Sequence, residues 1–337
     1  MSESEKAALT KSVSFLGMGI MGAAMAANLA PVLARYGGRL KVWNRSSASA
    51  GVAIAKAAGA EVFAHLKDCL AGSDIVFSCL GDERDVESVL TGPGGVSELA
   101  APGCLVVDFS TIGPRAARLI EESLARAGMK FLDAPVTGGD IGAKQGTLTI
   151  MVGGDLAVFQ QVEPYFETMG KTIRHCGKSG NGQALKLANQ TLCALNLIGV
   201  CEAISMAEEL GLDKALVVDV LENGAGGSWS LSNLGRRILA NDMAPGFATN
   251  HMLKDLRLAF ENLDPAGRLP GTRLAFELFE EAMAIAGKNS SQKSASQESA
   301  SQELGTQAMI KAYQVKEAAP GRAGDRITLE WQLDVEP

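Results

Sequence analysis

The chain has 337 residues, 47% of them hydrophobic and 20% charged, a balance that suits a globular protein with enough core for two domains. Its formal net charge of -7 argues against nucleic acid or an anionic membrane as a partner, so an anionic ligand would need a local basic site. Residues Met1 to Ser12 are polar and mixed in charge, without the apolar segment of a signal peptide, and no apolar run reaches bilayer-spanning length; a cytoplasmic protein is expected.

From Ser12 onward the pattern alternates. Val13–Gly17 is a short apolar run ending in glycines, and Ala23–Arg35 is rich in Ala and Leu and helical in character. Leu40–Trp43, Ile75–Leu80 and Leu105–Phe109 are β-rich, with helical stretches between them. Strands alternating with helices predict a parallel sheet covered on both faces. After about Gly180 the strand signal stops. Gly182–Leu210 reads as one long helix with Gly211 as C-cap, followed by helical segments at Lys214–Asn223, Ser230–Asn241, Ala248–Leu263 and Thr272–Ala286. Lys288–Glu303 is Ser/Gln/Lys-rich and predicts a disordered surface loop. The expected organisation is an α/β domain over residues 12–178, an all-α domain over 179–315 and a C-terminal tail over 316–337 with a β-like Ile327–Leu333.

Gly17-Met18-Gly19-Ile20-Met21-Gly22 follows the first strand and opens the first helix. In that position the G-x-G-x-x-G string predicts a Rossmann doubly wound sheet that binds a dinucleotide. Gly17 allows a tight turn, Gly19 lets pyrophosphate approach the backbone, and Gly22 packs helix on strand. The second strand leads into Asn44-Arg45-Ser46-Ser47, without the acid that NAD sites usually place there for the ribose 2′-OH. Arg45 can pair with a 2′-phosphate, and Asn44, Ser46 and Ser47 can donate to it. NADP is therefore expected over NAD, with NAD possible. Asp108-Phe109-Ser110-Thr111 ends another strand, where an open parallel sheet binds its ligands, so Ser110 and Thr111 are expected to border the nicotinamide.

The six cysteines, Cys69, Cys79, Cys104, Cys176, Cys193 and Cys201, show no C-x-x-C spacing and read as reduced core residues. His65, His175 and His251 are scattered, so no metal site is expected. Within the long helix Lys186, Asn189 and Gln190 share one face at i, i+3 and i+4, among Leu185, Leu187, Ala188, Leu192 and Leu195. A polar stripe on an apolar helix must find partners or line a cleft. Thr137-Gly138-Gly139 is a glycine-rich turn whose backbone N–H groups could hold a carboxylate, or could simply link two elements.

These residues resemble the β-hydroxyacid dehydrogenase family, which includes 3-hydroxyisobutyrate dehydrogenase and tartronate semialdehyde reductase. The resemblance runs from about Val13 to Tyr313 and rests on four motifs in order: the fingerprint continued to Leu29; Asp133-Ala134-Pro135-Val136-Thr137-Gly138-Gly139; Gly180-Asn181-Gly182 leading to Lys186-Leu187-Ala188-Asn189-Gln190; and Lys254-Asp255-Leu256. It implies that Lys186 serves as general acid and base and that Thr137, Gly138 and Gly139 hold the substrate carboxylate with help from Ser110. It also implies that Leu80 and Gly81 lie along the cofactor and that Lys254 lies by its nicotinamide end. The implied substrate is a small anionic hydroxy acid or its aldehyde. An imine reductase on the same scaffold typically replaces the lysine, and non-catalytic dinucleotide-binding relatives have lost it, so Lys186 argues against both. The long apolar helix, with Ile198, Val200, Ile204 and Met206, suggests a symmetric homodimer or homotetramer.

Overall fold

The computed structural model describes residues 9–263, 267–291 and 304–314. The first domain runs β1 (Ser12–Leu16), α1 (Ile20–Arg35), β2 (Arg39–Trp43), α2 (Ala50–Ala57), β3 (Glu61–Phe63), α3 (Leu66–Leu70), β4 (Ile75–Ser78), α4 (Glu83–Leu90) and α5 (Val96–Leu99). It continues through β5 (Leu105–Asp108), α6 (Pro114–Arg126), β6 (Lys130–Asp133), β7 (Val136–Thr137), α7 (Gly139–Gln145), β8 (Leu148–Gly154), α8 (Leu156–Phe166) and β9 (Gly170–His175). The strand order β3-β2-β1-β4-β5-β6 is parallel throughout and places β1 between the two half-sheets. The carboxyl end of β1 is thus the topological switch point at which doubly wound sheets bind ligands.

Side chains that alternate along each strand feed two cores. Phe15, Phe77 and Phe109 point to one face, with Phe15 and Phe109 stacked at 5.9 Å, and meet Tyr165 and Phe166 of α8. Leu16, Val76 and Val106 point to the other face, against α4 and α6. A strand buried on both sides cannot alternate apolar with polar, which is why these runs read as continuously apolar.

The sheet is not purely parallel, contrary to expectation. Beyond β6 the chain adds β8 antiparallel to β6, β7 antiparallel to β8, and β9 parallel to β8. The short α7 turns the chain back on itself, so β8 returns beside β7 without the long crossover that a parallel neighbour needs.

The second domain is helical: α9 (Asn181–Glu209), α10 (Lys214–Leu221), a π-helical stretch at Ser230–Gly235, α11 (Arg236–Leu239), α12 (Thr249–Leu263), α13 (Pro270–Ser291), a 3₁₀ turn at Thr306–Met309 and α14 (Ile310–Tyr313). The helix expected over Ser230–Asn241 is split into the π stretch and α11, and Asn241 ends it with a φ of 51°, a left-handed geometry that Asn tolerates. Contrary to expectation, α9 is long and apolar enough to cross a bilayer by length and composition. Its apolar character serves packing here: Ala194, Leu197, Cys201 and Ile204 form a core with Leu253 and Leu256 of α12 and Phe279 of α13. The loop expected at Lys288–Glu303 begins inside α13, which runs on to Ser291; its remainder and the β-like Ile327–Leu333 lie outside the described residues.

Candidate active site

The glycine loop is shaped by contacts that no larger residue would allow. Gly17 has a φ of 92°, and a Cβ there would sit 2.2 Å from the Cys79 carbonyl; a Cβ on Gly22 would sit 2.0 Å from the Gly17 carbonyl. Gly19 differs, since a Cβ built on it meets nothing within 4 Å. Gly19 is also the N-cap of α1 and offers no side-chain acceptor to the first helical N–H groups. A helix N-terminus with unused donors opening into free space fits the pyrophosphate of a dinucleotide. Met18 is buried beneath the loop, and Ile20 is exposed at its outer edge.

Asn44 does not reach outward as expected. Its Oδ1 accepts from the Met18 N–H at 2.9 Å, and its Nδ2 donates to the Ser46 carbonyl at 2.8 Å and to Ser49 Oγ at 3.3 Å. It therefore holds the glycine loop to the turn after β2, while Ser46 and Ser47 stay exposed. Arg45 projects into solvent and pairs with Asp85 of α4 at 2.8 Å.

Ser110 is also committed. Its hydroxyl accepts from the Leu80 N–H at 2.8 Å and donates to Asp108 Oδ1 at 2.7 Å, and Ser78 donates to the same oxygen at 2.7 Å. Asp108 is fully buried, and its Oδ2 has no hydrogen-bond partner. Burial pushes its carboxyl up to about 6, against the pull of the Ser110 and Ser78 hydrogen bonds. Asp133, at the end of the adjacent β6, is likewise raised to about 6 by burial, although it accepts from the Gly180 and Gln183 N–H groups at 2.7 and 2.9 Å. Asp133 thereby satisfies the start of α9 and fixes that helix to the sheet. Gln183 completes the join: its Oε1 accepts from the Ile112 and Gly113 N–H groups and its Nε2 donates to the Ser110 carbonyl at 2.8 Å.

One turn further along α9 comes Lys186, only 5% exposed. Its Nζ donates to Gln190 Oε1 at 2.9 Å. Gln190 Nε2 donates to Asp255 Oδ2 at 2.6 Å, and because a carboxylate can only accept, this contact fixes which end of the amide faces Lys186. Asn189 Nδ2 donates to Gln190 Oε1 at 2.9 Å and to Thr137 Oγ1 at 3.3 Å. Gln190, not Asn189, thus holds the ammonium, and Asn189 ties Gln190 to the Thr137-Gly138-Gly139 turn. Burial lowers the Lys186 pKa from the ordinary lysine range; Asp255 and Cys193 oppose this, and the Lys254 charge adds to it.

Lys254, on α12, reaches across to the first domain. Its Nζ donates to the Thr111 carbonyl at 2.5 Å and lies 3.2 Å from Asp255 Oδ1. The fold therefore gathers Ser110, Thr111, Thr137, Lys186, Asn189, Gln190 and Lys254 around one seam between the domains. Reasoning from sequence missed Asp108, Asp133, Gln183 and Asp255 as the groups that hold this seam. Gln183 lies at i−3 from Lys186 and could have been found on the same polar stripe.

Chemically, the seam offers a buried ammonium with a lowered pKa, held by the Gln190 amide, beside the end of a crevice built for a dinucleotide. Known proteins share this sequence and fold. Residues 12–177 match the NAD-binding domain of 6-phosphogluconate dehydrogenase, and residues 180–298 match the NAD-binding domain of NADP-dependent 3-hydroxyisobutyrate dehydrogenase. An uncharacterised oxidoreductase of Synechocystis is 42% identical over 90% of this chain and 98% of its own. The 2-hydroxy-3-oxopropionate reductase of Escherichia coli is 38% identical over 82% of this chain and 92% of its own. The structure of Mycobacterium tuberculosis 3-hydroxyisobutyrate dehydrogenase with L-serine superposes with a TM-score of 0.72 at 30% identity, covering 90% of this chain and 99% of that one. The chain belongs to the β-hydroxyacid dehydrogenase family and is an NAD(P)-dependent oxidoreductase.

Proposed function

We propose that this protein interconverts a small β-hydroxy acid and its aldehyde, of the 3-hydroxyisobutyrate or 2-hydroxy-3-oxopropionate type, with Lys186 as general acid and base and NADP preferred over NAD. The observation that carries the reading is the placement of Lys186, whose buried ammonium is held by Gln190. The names of the Escherichia coli and Mycobacterium tuberculosis relatives support the substrate class.

When bound, the reduced nicotinamide supplies a hydride to the aldehyde carbon. Negative charge then builds on the aldehyde oxygen, and Lys186 Nζ delivers the proton that neutralises it; in the reverse direction neutral Lys186 removes that proton. Gln190 orients Nζ, and Asn189 and Asp255 set the orientation of Gln190. The substrate carboxylate is assigned to the backbone N–H groups of the turn at Thr137, Gly138 and Gly139, where α7 begins and its first amides lack intrahelical acceptors. Ser110 positions this end of the site, since its proton is committed to Asp108. Lys254 clamps the Thr111 backbone at the nicotinamide edge.

Assembly belongs to the same reading. Met206, Leu210, Leu212, Leu216 and Val220, on and beside α9 and α10, are all more than half exposed, which suits burial in a cytoplasmic homodimer or homotetramer.

The test is hydride transfer, followed at the nicotinamide absorbance band, with a panel of three- and four-carbon aldehyde acids and with cyclic imines. Turnover of aldehyde acids, faster with NADPH than with NADH, is expected. Turnover of imines alone would favour an imine reductase, and cofactor binding without any turnover would favour a non-catalytic dinucleotide-binding protein.

A further inference from the structure

The turn after β2 lacks the acid that NAD sites place against the ribose. The structure supplies a carboxylate there from elsewhere. Asp85 lies in the first turn of α4, directly after the β4 edge of the dinucleotide crevice, and its Oδ1 meets Arg45 Nη1 at 2.8 Å. The pair bridges the segments that follow β2 and β4, the two strands on either side of β1 and its glycine loop. Gly81 packs against this carboxylate: a Cβ at that position would sit 2.6 Å from Asp85 Oδ2. Gly81 thus makes room for the carboxylate. The Asp85 backbone N–H donates to Asp82 Oδ1 at 2.9 Å, which fixes the start of the helix and the place from which Asp85 projects. Arg45 is 83% exposed and Asp85 34%, so both face the solvent from which the cofactor arrives.

We propose that Asp85 is a specificity-determining residue for the cofactor: its carboxylate occupies the Arg45 guanidinium in place of a ribose 2′-phosphate and so narrows the preference for NADP over NAD. The inference rests on the reading of Arg45 as the group that meets the 2′-phosphate. A phosphate seated on Arg45 stands beside the Asp85 carboxylate, and like charges at that separation repel. A ribose without the phosphate leaves the ion pair intact and can donate its 2′-OH to the carboxylate instead. One exposed pair is worth little by itself. The repulsion against a phosphate carrying between one and two negative charges adds to it.

The experiment is calorimetric titration of the full-length protein with two cofactor fragments, adenosine 2′,5′-bisphosphate and adenosine 5′-monophosphate. The proteins compared are wild type, Asp85→Asn, Arg45→Ala and the double variant. Asp85→Asn is expected to tighten the bisphosphate by about tenfold and leave the monophosphate within about twofold, a gain that falls as salt screens it. In the Arg45→Ala background the share of that gain that comes from freeing the guanidinium should disappear, and the share from direct repulsion should remain. An equal gain for both fragments, no gain, or weaker bisphosphate binding by Asp85→Asn overturns the inference. If Arg45→Ala weakens the bisphosphate while Asp85→Asn does nothing, Asp85 is not the determinant and the reading of Arg45 stands. If Arg45→Ala leaves the bisphosphate unchanged, the reading of Arg45 falls, and the inference with it.

Discussion

Asp108 is a fully buried carboxylate whose Oδ1 takes both Ser78 and Ser110, while its Oδ2 has no hydrogen-bond partner. Its folded-state pKa of about 6 stands above the ordinary 3.8. For an acid, a raised folded pKa means that the charged form is disfavoured by folding. The group therefore costs nothing below the unfolded pKa, costs more as pH rises between about 4 and 6, and reaches a constant penalty above that, about 3 kcal/mol at pH 7. Between pH 5 and pH 7 its share of the change is about 1 kcal/mol. Asp108→Asn removes that charge and keeps an oxygen to accept from both serines. The amide nitrogen then takes the place of the unpaired Oδ2, at a cost of about 1–3 kcal/mol for a buried unsatisfied donor, so overall stability at pH 7 should stay near wild type. The slope is the diagnostic quantity. Urea unfolding at pH 5 and pH 7 should show that wild type loses about 1 kcal/mol more on this rise than the variant does. The variant should also relieve Asp133, whose carboxyl the Asp108 charge helps to raise. An unchanged pH slope in Asp108→Asn would refute the argument.

Three further outcomes are expected. Asp255→Asn removes the charge that raises the Lys186 pKa while keeping an acceptor for Gln190 Nε2, so the pH at which reduction is lost to lysine deprotonation should move down; an unmoved profile of kcat/KM would show that Asp255 acts only as packing. Arg45→Asp should reverse the order of kcat/KM for NADPH and NADH, and a wild-type preference for NADH of about tenfold would contradict the role given to Arg45. Gly182→Ala should destabilise by about 1–3 kcal/mol or more in thermal unfolding, because overpacking has nowhere to relax. The added Cβ would meet the Met151 carbonyl at 2.3 Å and the Asp133 carbonyl at 2.8 Å, both backbone.

The parts of the site that were legible in the sequence are those whose partners lie close along the chain. The Gly17–Gly22 loop follows its strand directly, and Lys186, Asn189 and Gln190 share a helical face, so local periodicity identifies both. What escaped notice is set by tertiary contact. Gln190 meets Asp255 from 65 residues away, so nothing local indicates that Gln190 rather than Asn189 takes the ammonium. Arg45 meets Asp85 across 40 residues, which turns a free cation into half of an ion pair. Ser110 looked available because a strand-end serine usually is, and only the burial of Asp108 beside it shows where its proton goes. The antiparallel β7 escaped notice for a simpler reason: it spans two residues, too few to show a period.

The central claim is that Lys186 supplies the proton. The most direct measurement pairs the turnover of Lys186→Met with its cofactor affinity, using the best aldehyde acid of the panel and NADPH. The dinucleotide is assigned to the first domain, whereas Lys186 sits in the seam, so cofactor Kd should change little. Turnover should fall by about 10²–10⁴, the range of general acid catalysis. Retention of more than about a tenth of wild-type kcat, a loss too small for the proton donor, would contradict the account and turn attention to Lys254.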